Sequence, residues 1–391
     1  MKRGSMRVCG IICEYNPFHN GHAYLIRALK ERTGCAYVVC AMSGQFTQRG
    51  EAALVSKWAR AEMALRSGAD AVFELPALFA VRDAERFARG GVALLSSLGV
   101  VTHLGFGSES GDLDALLAMA KVEGDLNVIR ANMARGMTLA RARGEALGQD
   151  AGAPNDTLAV EYLRALGRQR AAIEPVTVKR LGGGYHDETL GGMASATAVR
   201  AAIYRGEDVY AAMPAPAYAL LLRLKEAGAY QRPDGLDEAL LALLRTIPAE
   251  SLARIADVGE GLENRISRAA QDAVSRASLL ELVKCKRYTW SRLSRVLTQA
   301  LVGMTKQLAM AYPVPTYARL LGFRRDAQPL MAAIRRQADI PIVTRAAKYR
   351  PEDDRVLALD IRAGDLWALG MLNPPLRKGR ADLTHDVVIV D

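Results

Sequence analysis

The sequence lacks the features that mark several common protein classes. No apolar run among its 391 residues approaches the ~20 residues that a membrane-spanning helix needs. The basic start is not followed by the apolar region and small-residue cleavage site of a secretory signal. We therefore expect a cytoplasmic protein with no membrane partner. Half of the residues are hydrophobic and 24% are charged, which is the balance of a globular protein.

Cysteine is scarce, and its spacing forms no known motif. The five cysteines include no CxxC pair, and four of them (Cys9, Cys13, Cys35 and Cys40) lie in apolar, strand-like runs. This pattern favours buried free thiols over a zinc site or a disulfide. Free thiols fit a reducing compartment such as the cytoplasm.

Several nucleotide and hydrolase motifs are also missing. The sequence contains no GxxxxGK[ST] loop, which excludes a P-loop enzyme, and no GxSxG nucleophile turn. The glycine-rich stretch "LGGGYHD" at 181–187 lacks the spacing of a dinucleotide fingerprint. We interpret it as a substrate loop.

Positive charge is in excess. Lysine and arginine number 52 against 42 acidic residues, which gives a net charge of +10. Such an excess suits a polyanionic partner such as RNA, although many basic proteins bind no nucleic acid.

The first ~200 residues alternate apolar strands with amphipathic helices, which predicts a Rossmann-like α/β fold with a parallel sheet and helices on both faces. The predicted strands are 7–13, 36–42, 69–76, 100–107 and 171–180. The predicted helices are 21–32, 56–68, 83–98 and 195–206, with two or three more across 111–168. Ligands of such sheets bind at the carboxyl ends of the strands. The loops 14–22, 43–54, 105–110 and 180–197 should therefore surround one crevice.

The pattern changes after residue 206. We predict a catalytic domain over 1–206 and a largely α-helical C-terminal domain over 207–391. The runs "TYARLLGF" (316–323) and "IPIVTRA" (340–346) look like strands, so we expect a small mixed subdomain near the end of the chain.

The stretch "HNGH" contains two of the five histidines, His19 and His22, at the predicted start of the first helix. A helix N-terminus attracts phosphate, and two imidazoles there could donate to phosphate oxygens. Gly21 would let the backbone approach the ligand closely. Two surface histidines and a metal pair remain alternatives, although no third metal ligand is evident nearby.

Other polar residues fall in the same predicted crevice. Glu14 would bind either a ligand or loop amides, and Lys57 and Arg49 are cations near the end of the second strand. "SATAVR" at 195–200 opens a helix with hydroxyls and an arginine, which could bind a triphosphate. The alternatives are solvated cations and a simple capped helix.

The order of these motifs resembles that of the HIGH-type nucleotidyltransferase superfamily. The sequence is more closely similar to the bacterial tRNA(Met) cytidine acetate ligases, and the similarity is densest before residue ~205. The stretches that carry it are "EYNPFHNGH", "MSGQFTQRGEAALVSKWARAEMALRSGADAVFELP", "FGSES", "PNDTLAVEYL", "GGGYHD", "ASATAVR" and "LLGF".

This resemblance implies an ATP-dependent reaction in two steps. Acetate and ATP would form acetyl-adenylate and pyrophosphate, and the wobble cytidine of elongator tRNA(Met) would then be acetylated to N4-acetylcytidine. Mg²⁺ would accompany ATP, and the sequence assigns no metal ligands. Two other functions remain open: transfer of a nucleoside monophosphate to a phosphorylated metabolite, and non-catalytic RNA binding.

The resemblance also assigns site residues. The implied catalytic residues are His19, His22 and Lys57. Lys57 is a guess for the cation that binds the carboxylate or the pyrophosphate. The implied ATP-binding residues are Ile12, Cys13, Glu14, Tyr15, Asn16, Pro17, Phe18, His19, Asn20, Gly21, His22, Ala23, Tyr24, Leu25, Gly107, Asn155, Arg180, Ser195, Thr197 and Arg200, with Gly105 less secure.

Two basic stretches in the second part of the chain could bind tRNA phosphates. The first mixes cations with Tyr288 and Trp290, and its cations are Lys284, Lys286, Arg287, Arg292 and Arg295. The second contains Arg324, Arg325, Arg335 and Arg336. The alternative for either stretch is a solvated basic helix face.

Overall fold

The chain is seen in a computed structural model that describes residues 6–121, 154–181, 193–259, 261–349 and 354–391, with residues 131, 134 and 142 between the first two ranges. Most of the predicted substrate loop at 181–187 lies outside the described residues, as does most of 122–153 within the stretch 111–168 for which two or three helices are predicted.

The predicted strands are present, and together with a strand near the C-terminus that was not predicted they form one sheet. The strands are β1 (Val8–Cys13), β2 (Tyr37–Ser43), β3 (Ala71–Leu75), β4 (His103–Ser108), β5 (Glu174–Lys179), β6 (Ala318–Arg324), β7 (Ile342–Val343) and β8 (Val388–Val390). Within the described part of the chain they make an eight-stranded sheet in the order β5-β4-β1-β2-β3-β6-β7, with β8 also beside β6. Strands β1 to β5 are mutually parallel, which confirms the predicted α/β class.

The apolar composition of the central strands follows from their burial on both faces. Every residue of β1 and β3 is buried, because helices cover the two sides of the sheet. A strand covered on both faces needs consecutive apolar residues rather than an alternating pattern. This explains why runs such as "VCGIIC" were recognisable from the sequence.

The helices of the first part begin where their capping residues predict. They are α1 (Asn20–Thr33), α2 (Lys57–Leu65), α3 (Ala77–Ala80), α4 (Ala84–Ser97), α5 (Leu113–Lys121), α6 (Pro154–Gln169) and α7 (Ala196–Tyr204). The hydroxyl of Ser56 accepts a hydrogen bond from the backbone N–H of Ala59, and the hydroxyl of Ser195 does the same for Ala198. Both serines are therefore N-caps of the kind that hydroxyl residues favour.

The second part is mainly helical. Its helices are α8 (Ala215–Glu226), α9 (Asp237–Thr246), α10 (Ala249–Leu252), α11 (Leu262–Asp272), α12 (Arg276–Val283), α13 (Trp290–Val302), α14 (Lys306–Ala311), α15 (Gln328–Gln337), α16 (Arg355–Leu369) and α17 (Ala381–Thr384). Residues between Leu240 and Ala300 pack into a core of their own. None of the described helices combines the length and the apolar character needed to cross a membrane.

The expected small mixed subdomain near the C-terminus is wrong. Strand β6 instead pairs antiparallel with β3, and β7 and β8 extend the sheet beyond it. The sequence could show that these segments are strands but not which edge they join, because pairing depends on contacts distant in sequence. The domain boundary at 206/207 stays a prediction.

Candidate active site

The crevice expected at the carboxyl edge of the sheet is a cavity of about 1260 Å³. Its walls include the end of β1 and the following loop, the turn after β4, and the start of α7. The predicted ATP-binding residues that line it are Ile12, Cys13, Glu14, Tyr15, Asn16, His19, His22, Leu25, Gly107, Asn155, Arg180, Ser195, Thr197 and Arg200. The structure therefore brings together side chains that are distant in sequence, as the parallel topology predicts.

Part of the contiguous run from Ile12 to Leu25 does not reach the cavity. The members outside its lining are Pro17, Phe18, Asn20, Gly21, Ala23 and Tyr24. Phe18 is wholly buried in the core, and its ring centroid lies 5.4 Å from that of His22. A run that crosses from a strand into a helix can turn only some side chains toward one ligand. The cavity lining thus supports part of the contiguous assignment, and the rest stays a prediction.

The two histidines form a reciprocal cap at the start of α1. His19 is the N-cap, and its Nδ1 accepts a hydrogen bond of 3.1 Å from the backbone N–H of Gly21. His22 Nδ1 accepts one of 3.2 Å from the backbone N–H of His19. Because each Nδ1 is an acceptor, the proton of each neutral ring lies on Nε2. The pair can therefore present two N–H donors to a ligand.

Burial keeps both imidazoles neutral. Burial, followed by the charges of Arg180 and Arg200, lowers the pKa of His19 to about 3. Burial, followed by the neighbouring His19 and then Arg180, lowers the pKa of His22 well below its usual value. At neutral pH the histidines therefore act as uncharged donors, and the positive charge of the site comes from the arginines.

The lowered pKa of His19 predicts that the ligand-free protein loses stability on acidification. An unfolded histidine titrates near about 6.5, whereas His19 in the folded protein titrates near about 3. Below pH ~6.5 the unfolded state therefore binds the proton first, so the free energy of unfolding falls as the pH decreases. Urea denaturation at several pH values below and above ~6.5 should show this decline. His19→Asn keeps an N-capping oxygen and should show a shallower decline; an equally steep one would contradict the prediction.

Glu14 and Arg60 fix the loops at this edge of the sheet. A carboxylate oxygen of Glu14 accepts a hydrogen bond from the backbone N–H of Gln48, which confirms the loop-amide alternative. The wholly buried Arg60 donates to the carbonyl oxygens of Glu14 at 2.6 Å and Ser43 at 3.1 Å, and also to that of Gly44. Sequence reasoning missed Arg60, and its only signal was its place one turn into the helix capped by Ser56.

Arg200 joins the phosphate-binding candidates to the loops. Its guanidinium donates to the carbonyl oxygen of Asn16 at 2.7 Å and to the Glu51 carboxylate at 3.0 Å. A weaker hydrogen bond of 3.4 Å reaches the hydroxyl of Thr197. Arg200 thus lines the cavity while its position is fixed from two sides.

Asn155 and Arg180 meet at the opposite wall. Asn155 Nδ2 donates to Glu109 at 2.6 Å, and Arg180 donates to Asn155 Oδ1 at 3.4 Å. Glu109 also accepts from the backbone N–H of Asp156 at 2.8 Å. Glu109 was absent from the predicted site, although it lies in the quoted stretch "FGSES". It positions the start of α6 against the turn after β4.

The two glycines of β4 have different surroundings. A Cβ atom at Gly107 would lie 3.2 Å from Cγ of Arg180, so glycine leaves room for that side chain beside the cavity. A Cβ atom at Gly105 would lie 2.2 Å from Leu29, and Gly105 does not line the cavity. The less secure assignment of Gly105 to ATP is therefore wrong, and its role is close packing.

Lys57 is not in the cavity. Its side chain is wholly buried, and Nζ pairs with the carboxylates of Glu74 at 2.6 Å and of Asp382. Arg319 pairs with the same two carboxylates. A lysine enclosed in this way cannot reach acetate or pyrophosphate, so its catalytic assignment is wrong. Arg49, the weaker candidate, does line the cavity.

The first basic stretch reaches the same cavity from the second part of the chain. Arg287, Arg292 and Arg295 line it, whereas Lys284 and Lys286 do not. Lys284 donates to the carbonyl of Cys285 at 2.8 Å. The role of this stretch in binding tRNA stays a prediction.

No dedicated metal site is visible in the described ranges, since His, Cys, Asp and Glu side chains there do not gather in groups of three or more around a common point. Residues that bind a metal usually converge in that manner. We therefore derive no step of the chemistry from a protein-bound metal ion.

Comparison with known proteins agrees with this geometry. The HIGH Nucleotidyl Transferase family matches residues 6–382. A protein of Acetivibrio thermocellus named tRNA(Met) cytidine acetate ligase is 36% identical, with 98% of this chain and 100% of that protein covered. A protein of the same name from Caldanaerobacter subterraneus subsp. tengcongensis is 37% identical with the same coverage.

Solved structures show the same architecture. The crystal structure of apo Thermotoga maritima TmcAL has a TM-score of 0.92 and 31% identity, with 98% of this chain and 100% of that chain covered. The same protein bound with alpha-thio ATP gives a TM-score of 0.90 and 30% identity over the same shares. Likeness of this extent in both sequence and structure shows that the chain belongs to the HIGH nucleotidyl transferase family and, within it, to the tRNA(Met) cytidine acetate ligases.

Proposed function

We propose that this protein is an ATP-dependent acetate ligase that acetylates the wobble cytidine of elongator tRNA(Met) to N4-acetylcytidine. The single observation that best supports this function is the shared cavity. It is lined both by the predicted ATP-binding residues around His19 and His22 and by arginines of the predicted tRNA-binding stretch. An enzyme that activates acetate and then acetylates RNA needs both substrates at one acyl carbon.

The first half-reaction joins acetate to AMP. A carboxylate oxygen of acetate attacks the α-phosphorus of ATP, the bond from that phosphorus to the bridging oxygen breaks, and pyrophosphate leaves. The Nε2–H groups of His19 and His22 donate to phosphate oxygens on which negative charge grows. Arg180 and Arg200 add positive charge near the histidines, which offsets the repulsion between acetate and the triphosphate.

The second half-reaction transfers the acetyl group. The exocyclic amine of cytidine attacks the acetyl carbonyl carbon, the bond to the AMP oxygen breaks, the amine loses a proton and AMP leaves. The protein contributes by orienting the amine against the acyl carbon and by excluding water from the adenylate. A wobble base lies in a single-stranded loop, so it can be splayed out into a cavity.

Mg²⁺ enters this proposal only as the companion of ATP. Hard oxygen ligands and phosphates are the usual partners of Mg²⁺, and the triphosphate supplies them.

A labelling experiment tests the function. The protein is incubated with ATP, radiolabelled acetate and bulk tRNA, and the digested tRNA is separated by chromatography. We expect label in N4-acetylcytidine, with no label when ATP is omitted. Elongator tRNA(Met) transcripts with the wobble cytidine replaced by uridine serve as the matched control and should stay unlabelled. Formation of an AMP-linked metabolite without label in RNA would contradict the proposal.

A further inference from the structure

Arg295 is a buried cation with no partner among the described residues. The side chain is only 9% exposed, and it lines the cavity from helix α13. Its buried Nε has no hydrogen-bond partner, and among the described residues the guanidinium makes no hydrogen bond or ion pair. Arg276, half-buried on the preceding helix, shows the usual alternative, since it donates to the carbonyl of Gly50 at 2.7 Å and to Thr298 at 3.2 Å.

The two carboxylates whose charges act most strongly on Arg295 already pair with other residues. Asp257 pairs with Arg82 at 3.3 Å and accepts a hydrogen bond of 2.7 Å from Gln299. Asp83 caps helix α4 and pairs with Arg86. Burial lowers the pKa of Arg295, and its effect outweighs the opposing effect of these two carboxylates. A buried charge that no described residue pairs with is costly, which indicates that an anionic ligand completes the environment.

The start of α13 adds to the same positive region. Thr289 is the N-cap of this helix, and its hydroxyl accepts a hydrogen bond of 3.2 Å from the backbone N–H of Arg292. Thr289, Ser291 and Arg292 line the cavity beside Arg295. Free N–H groups at a helix N-terminus and a nearby arginine are the groups that bind phosphate in many proteins.

We infer that Arg295 and the start of α13 bind a phosphate of the nucleotide that accepts the acetyl group. This end of the cavity is then an acceptor-nucleotide subsite, distinct from the ATP end, which is formed by the loop after β1, the turn after β4 and Arg180 directly after β5. The inference rests on the proposed function, and it adds which residues bind the RNA phosphate inside the cavity.

The size and enclosure of the cavity favour an RNA phosphate over other anions. A volume of about 1260 Å³ exceeds the ~300–1000 Å³ of most small-molecule pockets, so the cavity has room for a second substrate beside ATP. Because Arg295 is nine-tenths buried, phosphates that follow the outer surface cannot reach it. Only a nucleotide splayed out of its strand would bring its phosphate inside.

The test separates the two half-reactions in the full-length protein. Acetyl-adenylate formation is measured with ATP and acetate alone, and acetyl transfer is measured against tRNA concentration. In Arg295→Met we expect unchanged adenylate formation and a KM for tRNA raised about 10- to 100-fold, as loss of a charged hydrogen bond implies. The salt dependence of tRNA binding should also become shallower by about one phosphate contact.

Stability and a control variant exclude a merely structural role. The thermal midpoint of Arg295→Met should be unchanged or raised, because an unpaired buried guanidinium stabilises no contact in the free protein. Arg268 lies on the exposed face of helix α11, outside the cavity. Arg268→Met removes the same charge as Arg295→Met, and its KM for tRNA should stay normal. Arg295→Lys retains the charge and should recover part of the affinity for tRNA.

Several outcomes would overturn the inference. A normal KM for tRNA in Arg295→Met would show that Arg295 does not bind the phosphate. A raised KM for acetate in adenylate formation would assign Arg295 to acetate instead. A lowered thermal midpoint with equal loss of both half-reactions would assign it to the fold. Failure of the unaltered protein to acetylate tRNA would contradict the proposed function itself.

Discussion

Replacing His22 by alanine is expected to slow acetyl-adenylate formation about 10²- to 10³-fold, the usual loss on removing one donor to a developing negative charge. The substitution removes the Nε2–H donor together with the hydrogen bond that Nδ1 of His22 accepts from the backbone N–H of His19. Loss of this cap should lower the free energy of unfolding by about 0.5–2 kcal/mol, so the protein should stay folded. Release of pyrophosphate with ATP and acetate measures the effect.

A second histidine provides the control for this experiment. His385 stacks on Trp58 with 4.2 Å between ring centroids, and it does not line the cavity. His385→Ala should form acetyl-adenylate at the normal rate. Near-normal adenylate formation in His22→Ala would contradict the proposed phosphate contact. An unfolded His22→Ala variant would instead show that the helix start needs the imidazole for stability.

Replacing Lys57 by methionine is expected to lower the free energy of unfolding by about 3–5 kcal/mol. The side chain is wholly buried and pairs with Glu74 and Asp382. Without the charge of Lys57, the described ion-pair partner that remains for both Glu74 and Asp382 is Arg319. Chemical denaturation measures the loss, and the folded fraction should still form acetyl-adenylate at the normal rate per molecule.

A double substitution separates the buried ion pair from a catalytic role. Lys57→Met with Glu74→Gln should be more stable than Lys57→Met alone, because one of the unpaired carboxylates becomes neutral. Unchanged stability of Lys57→Met together with lost adenylate formation would contradict this explanation and would indicate that Lys57 is catalytic.

The local parts of the fold and site were open to prediction. The strands β1 to β5 are short, apolar and separated by amphipathic segments, so their parallel order followed from patterns within about 30 residues. The placement of His19 and His22 followed as well, since a strand and a helix start flank them. The convergence of Arg180 and Ser195 on the same crevice followed from the rule that parallel strands end at one edge, whereas the place of Asn155 was implied only by the family resemblance.

Contacts between distant residues could not be predicted in this way. Lys57 and Asp382 are 325 positions apart, and Lys57 resembled a solvated cation until the fold enclosed it between carboxylates. The same holds for β6, whose apolar pattern indicated a strand but gave no reason for pairing with β3. Arg60 and Glu109 were missed because their partners, loop carbonyls for Arg60 and the start of α6 for Glu109, come near them only in the folded chain.

The sequence by itself determined the α/β class, the start of α1 at the two histidines and the loops that surround the crevice, because local periodicity and capping chemistry decide these features. Only the tertiary structure decided which cations are paired. It encloses Lys57 in an ion-pair network, and it leaves Arg295 buried at the cavity with no hydrogen bond or ion pair to any described residue. The physical reason is that the cost of a buried charge depends on groups from the whole chain, and a linear sequence does not show which of them become neighbours.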